Sequence, residues 1–96
     1  MSVMMIVNFQ AAEGNAEALR SLLQQGRDIS IKAEGCEAFD LYQAQADQNR
    51  FVMVQRWVSD QAHHANFEQN IKGSGHLAKI MPLLAKPIDG NLFHAV

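Results

Sequence analysis

One stretch, Glu34 to Asp60, constrains the fold of this 96-residue chain more than any other. It reads EGCEAFDLYQAQADQNRFVMVQRWVSD. Two apolar, aromatic-rich runs, Phe39 to Ala46 and Phe51 to Val58, are separated by the polar cluster Asp47-Gln48-Asn49-Arg50, which predicts a β-hairpin. Before the hairpin, Gly35 can take the left-handed conformation that ends a helix; after it, Ser59-Asp60 supplies an N-cap for another. A hairpin between two helices belongs in the middle of an α+β sandwich.

The flanks fit that reading. Val3, Met5, Val7 and Phe9 alternate with Met4, Ile6, Asn8 and Gln10 in a first strand that is apolar on both sides apart from Asn8 and its end. A helix follows, opened by Gly14 or Asn15 and ending at Glu34-Gly35. It carries Leu19, Leu22, Leu23, Gly26, Ile29 and Ala33 on one stripe, with Arg20, Gln24, Arg27 and Lys32 facing away. Strand two sets Phe39, Leu41 and Gln43 against Asp40, Tyr42 and Ala44; strand three sets Phe51, Met53, Gln55 and Trp57 against Val52, Val54, Arg56 and Val58. A second helix is predicted from about Asp60 to Ile71. A short third one has Leu77, Ile80, Met81 and Leu84 at core spacing and a kink at Pro82, and Ile88 to Val96 form a last strand. The order β-α-β-β-α-β is that of a ferredoxin-like α+β fold, one domain over residues 1–96, with an antiparallel sheet and both long helices on one face. The other sheet face is apolar too, and its economical cover is a second copy of the chain, a homodimer packed sheet to sheet.

Composition points the same way. The chain is 48% hydrophobic and only 19% charged, against a usual charged share of about 25%, as expected where part of the surface is an interface. A net charge of -2 with eight dispersed basic residues argues against nucleic acid as a partner. No stretch approaches the roughly 20 apolar residues of a membrane span. Val3 to Val7 is too short for a signal-peptide core and the lone Cys36 cannot form an internal disulfide, so the cytoplasm is the expected compartment. Cys36 reads as a small buried hydrophobe.

No phosphate loop, GxGxxG, CxxC or HExxH is present. His63 and His64 are adjacent and point about 100° apart on a helix, a poor joint ligand pair, and no metal is predicted. The informative feature is the inner stripe of the second helix, where His63, Asn66, Phe67, Asn70 and Ile71 share one sector. Phe67 and Ile71 alone anchor such a helix weakly, so the imidazole and amides either meet solvent or line a cavity. Asn8 and His76 are further candidates, although Asn8 could bond a loop carbonyl and His76 could be a half-exposed surface residue. Tyr42 and Trp57 suit a pocket wall as well as a core or interface.

The segments Gly35-Cys36, Phe39-x-Leu41-Tyr42, Asp47-x-x-Arg50-Phe51-Val52, Trp57-x-Ser59 and Pro82-Leu83-Leu84 resemble, in order and spacing, the antibiotic biosynthesis monooxygenase family. The resemblance implies a dimeric α+β barrel in which each protomer keeps a pocket between sheet and helices. Members include cofactor-independent oxygenases of aromatic polyketides and quinols, haem-degrading enzymes and isomerases, so the fold does not decide the reaction. Where many members carry a histidine on the second helix, this chain has Asn66. The leading expectation is a cofactor-free monooxygenase that oxidises a small electron-rich aromatic, a quinol or phenol, with dioxygen. Asn8 and Asn66 would be the amide donors and His76 or His63 the base; Phe67, Tyr42 and Trp57, with Asn70 and Ile71, would bind the substrate. A second expectation is a module that binds or senses a small aromatic without turnover. A third is haem bound through His76, since the haem-degrading members resemble this chain at Asn8 and His76, although their helix-two tryptophan is missing near Phe67.

Overall fold

The computed structural model describes residues 1–96. Four strands, β1 (Val3–Gln10), β2 (Cys36–Gln43), β3 (Arg50–Trp57) and β4 (Asp89–Phe93), form one antiparallel sheet in the order β2-β3-β1-β4. This is the split βαβ of a ferredoxin-like α+β fold. Register follows from burial: Val7 lies opposite Met53 and Phe9 opposite Phe51, so the buried residues of β1 and β3 share one face. That face carries the core, which includes Phe39, Phe51 and Trp57 from the sheet and Leu19 and Leu23 from the first helix.

Helix α1 (Ala16–Ser30) is shorter than predicted. It stops at Ser30, and two successive turns, closed by Ala33 N–H to the Ser30 carbonyl and Cys36 N–H to the Ala33 carbonyl, carry the chain to β2. Its buried stripe is Leu19, Leu23, Gly26 and Ser30, while Ile29 is 42% exposed. Ser30, a polar residue at core spacing, holds the position that a search for apolar residues assigned to Ile29. Asn15 precedes the helix without capping it; its side-chain amide reaches the Leu83 carbonyl instead, at 3.4 Å. Gly35 has φ 84°, and a Cβ there would lie 2.7 Å from the Ala62 Cβ and 2.9 Å from a Val58 methyl. The glycine thus lets the chain turn into β2 and lets the second helical segment start close above it.

Ser59 caps α2 (Asp60–Asn66) as expected, its hydroxyl accepting from Ala62 N–H at 3.1 Å. The helix does not continue in α geometry to Ile71. From Phe67 to Lys72 it widens into a π-helical turn, closed where Gly73 N–H donates to the Glu68 carbonyl at 2.8 Å. A short α3 (His76–Ile80) and a 3₁₀ turn (Met81–Leu83) follow; the pitch changes at Met81, which keeps helical angles despite the proline after it, and the chain leaves the helical region only at Leu84. Ile80 is buried, but Met81 is 49% exposed and stands at the rim rather than in the core.

The helices cover only one side of the sheet. On the other, Met4, Ile6 and Asn8 of β1, Val52, Val54 and Arg56 of β3, and Tyr42 of β2 form an open face. No helix is long and apolar enough to cross a membrane.

Candidate functional site

A cavity of about 310 Å³ lies between the sheet and the helices. Its floor is apolar, made by Met5, Val7, Phe9, Phe39 and Met53 of the sheet. Leu23, Gly26 and Ser30 of α1 form one wall, and Phe67, Ile71, Leu77 and Ile80 close much of the remainder. Five side chains with hydrogen-bonding atoms enter this surface: Ser30, Gln55, His63, Asn66 and His76.

Asn66 ends α2 and is only 5% exposed. Its Nδ2 donates to Ser30 Oγ at 3.0 Å and its Oδ1 accepts from Asn70 Nδ2 at 2.9 Å, so the amide is held at both ends. One N–H of that amide is committed to Ser30, and the second remains available to a ligand. Asn70 is on the wider turn, behind Asn66 rather than on the cavity surface. Its contribution is to orient Asn66.

Gln55 sits on the helix-facing side of β3 between Met53 and Trp57 and is 6% exposed. Its Oε1 accepts from Trp57 Nε1 at 2.8 Å, which satisfies the indole of a fully buried Trp57. Trp57 therefore stands behind the cavity, reaching it through Gln55 and His63. His63 packs edge-on to Trp57 with ring centroids 5.8 Å apart. Burial lowers the His63 pKa below its ordinary value, the charge of His64 adds to this, and Asp60 opposes it. At neutral pH His63 is thus an uncharged imidazole.

His76 opens α3 and is 7% exposed, contrary to its reading as a half-exposed surface residue. Its Nε2 lies 2.7 Å from the Leu22 carbonyl oxygen of α1. Haem ligation through this nitrogen would require that bond to break.

Of the residues singled out from sequence, His63, Asn66, Phe67, Ile71 and His76 come together on the cavity surface. Trp57 and Asn70 support it from behind. Asn8 and Tyr42 do not belong to it: Asn8 pairs with Val52, which also pairs with Tyr42, and all three lie on the open sheet face. The reason is strand alternation, since burying Val7 and Phe9 under the helices turns Asn8 away. Asn8 and Tyr42 instead border a shallow depression with Arg50 and Val52. Sequence reasoning missed Ser30 and Gln55, although each is a polar residue in phase with an apolar face, the same signal that drew attention to Asn66. No cluster of three or more His, Cys, Asp or Glu side chains is arranged to hold a metal ion.

The sequence profile of the antibiotic biosynthesis monooxygenase family matches residues 2–70, which contain β1, the hairpin, α2 and most of the cavity's polar groups. The chain belongs to this family. Solved structures of the same fold include Rv0793 from Mycobacterium tuberculosis, 22% identical with a TM-score of 0.90 over 100% of this chain and 96% of that one. PA3566 from Pseudomonas aeruginosa is 23% identical with a TM-score of 0.83, over 99% and 94% of the two chains. A substitution variant of SnoaB, a cofactor-independent oxygenase from Streptomyces nogalater, is 17% identical with a TM-score of 0.84, over 98% and 92%. At such identities these likenesses establish the fold alone. Among curated protein sequences none matches significantly. As a member of the monooxygenase family the chain carries its helix-side cavity where the hairpin, α1 and α2 converge.

Proposed function

We propose that this protein is a cofactor-independent monooxygenase that oxidises a small electron-rich phenol or quinol with dioxygen in the helix-side cavity. The observation that carries the reading is the pairing of an apolar cavity with one oriented amide, Asn66, and one buried imidazole, His76, at its surface. A phenolate is electron-rich enough to reduce dioxygen itself, so the protein's part is to take the phenolic proton, exclude water and stabilise the anions formed. A ring carbon para to the hydroxyl of a phenol, or ortho to a hydroxyl of a quinol, and bearing hydrogen, forms a C–O bond to dioxygen with transfer of two electrons; the peroxide takes back the proton; loss of water leaves a carbonyl at that carbon. Phenol plus dioxygen thus becomes quinone plus water, and quinol plus dioxygen becomes hydroxyquinone plus water, with no other reductant. Asn66 is suited to hold the developing oxyanion with its free N–H. SnoaB's being a cofactor-independent oxygenase is consistent with this chemistry on this fold.

The cavity volume is at the lower end of ligand sites, which favours one or two fused rings over larger polycycles. The proposed working form is a homodimer in the cytoplasm. Support for the dimer is the open sheet face, where Met4, Ile6, Val52 and Val54 are only partly covered and Tyr42 is 56% exposed. Burying about 1,000 Å² of apolar surface there contributes a gross gain of roughly 25 kcal/mol before association entropy is subtracted.

The test is oxygen consumption with a panel of mono- and bicyclic phenols and quinols in metal-free buffer, with products followed by mass spectrometry. One oxygen atom gained per dioxygen consumed is the expected result. Tight binding of the same compounds without oxygen uptake would instead assign the cavity to a binding or sensing module.

A further inference from the structure

We propose that Gly26 and the main-chain carbonyl of Leu22 are the positioning groups that make His76 Nδ1, and not Nε2, the nitrogen that accepts the substrate's proton. The inference rests on the phenol-oxidising reading above for its chemistry, and on the following geometry for its atom.

A carbonyl oxygen can only accept, so the 2.7 Å contact between His76 Nε2 and the Leu22 oxygen requires Nε2 to carry hydrogen. In the neutral ring the lone pair is then on Nδ1. The Leu22 carbonyl is also the one that the α-helical pattern pairs with the N–H of Gly26, so the imidazole approaches the second lone pair of an already bonded oxygen. It does so beside a residue, Gly26, that has no side chain. A Cβ there would lie 3.2 Å from His76 Nε2, 3.5 Å from Cδ2 and 3.9 Å from the Ile71 Cδ1. A glycine inside a 15-residue helix costs about 1 kcal/mol relative to alanine, and a methyl here would press on the imidazole and require it to give by a few tenths of an ångström.

The same contacts orient the ring. Its Nε2–Cδ2 edge faces α1, and in a five-membered ring the atom opposite that edge is Nδ1. Nδ1 makes no hydrogen bond within the protein, although no fully buried side-chain nitrogen or oxygen anywhere in the molecule lacks a partner. Nδ1 therefore remains accessible, on a residue that lines the cavity. When it takes the phenolic proton the ring becomes an imidazolium, with Nε2–H still on Leu22 and Nδ1–H on the substrate oxygen. That proton then returns to the peroxide before water leaves.

The proposal is tested on the full-length protein labelled with ¹⁵N at histidine. Long-range ¹H–¹⁵N spectra above neutral pH should show His76 as the Nε2–H tautomer, and 4-nitrophenol should shift the Nδ1 resonance more than Nε2. An Nδ1–H tautomer, or a phenol shift confined to Nε2, overturns the proposal. Gly26→Ala should mix the tautomers and lower kcat by about 10²-fold with little change in KM, while the melting temperature holds or rises. Unchanged tautomer and unchanged kcat in that variant also overturn it. His76→Gln keeps a donor near the Leu22 oxygen but has no base; a fold retained with turnover down on the order of 10²-fold or more is expected, and full turnover refutes the base. A wild type that consumes no oxygen defeats the enzyme reading, and with it the base. That failure is told apart from a failure of placement, because the spectra judge the ring without turnover.

Discussion

The two faces of the sheet are made by alternate residues of the same strands, yet they treat polar groups in opposite ways. Beneath the helices, Gln55 accepts from Trp57, and Asn66 is fixed between Ser30 and Asn70. On the open face, Asn8 makes no side-chain hydrogen bond, Arg56 and Asp40 are exposed, and the apolar residues between them are partly covered at best. A buried amide costs free energy unless a partner meets it, so polar groups persist on the helix side only where the tertiary structure provides one. The open side bears no such restriction in a single chain. The contrast separates a face organised around a cavity from one suited to another protein surface.

The strongest test of the helix side is Trp57→Ala, which removes a fully buried indole and leaves Gln55 Oε1 without its donor. A loss of about 3–5 kcal/mol is expected by chemical denaturation, and a loss below about 1 kcal/mol would contradict the packing described. For the open side the corresponding change is Val54→Asp, at the centre of the uncovered strands. Light scattering should move from a dimer toward the 10.7 kDa chain, with unfolding that loses its dependence on protein concentration; a wild type that is already a folded monomer would remove the dimer altogether. Asn66→Leu is expected to cost about 1–3 kcal/mol, because Ser30 and Asn70 each lose a partner in a place water reaches poorly. Asn8→Leu, its counterpart on the open face, should leave phenol affinity unchanged.

The smallest effect concerns acid. Because burial depresses the His63 pKa, the unfolded chain takes up a proton near pH 6.5 that the folded chain refuses. Stability from this source is therefore complete above about pH 6.5 and falls as pH drops below it toward the depressed value. The melting temperature of His63→Gln should depend less steeply on pH in that window than that of the wild type. Equal slopes would show that His63 is hydrated in the folded state.

Much of the architecture is a property of the sequence alone. The hairpin followed from two apolar runs around a polar cluster, and the N-cap at Ser59 and the β-α-β-β-α-β order followed from capping residues and periodicity. The inner stripe of the second helix, His63, Asn66, Phe67 and Ile71, was legible because a helix repeats its face on a fixed period, even though the wider turn after Asn66 altered the pitch. Even Asn8 was correctly assigned to the side of β1 opposite Val7 and Phe9. What periodicity does not contain is which side of a strand the helices will cover, because both sides of β1 and β3 are apolar. Only the tertiary structure decided that, and with it the exclusion of Asn8 and Tyr42 from the cavity. It also decided the pairings that orient the site: Ser30 meets Asn66 across 36 residues, and His76 meets the Leu22 carbonyl across 54. A local pattern gives the direction of a side chain within its own element. The partner waiting there belongs to another element, and its position is set by how the layers pack.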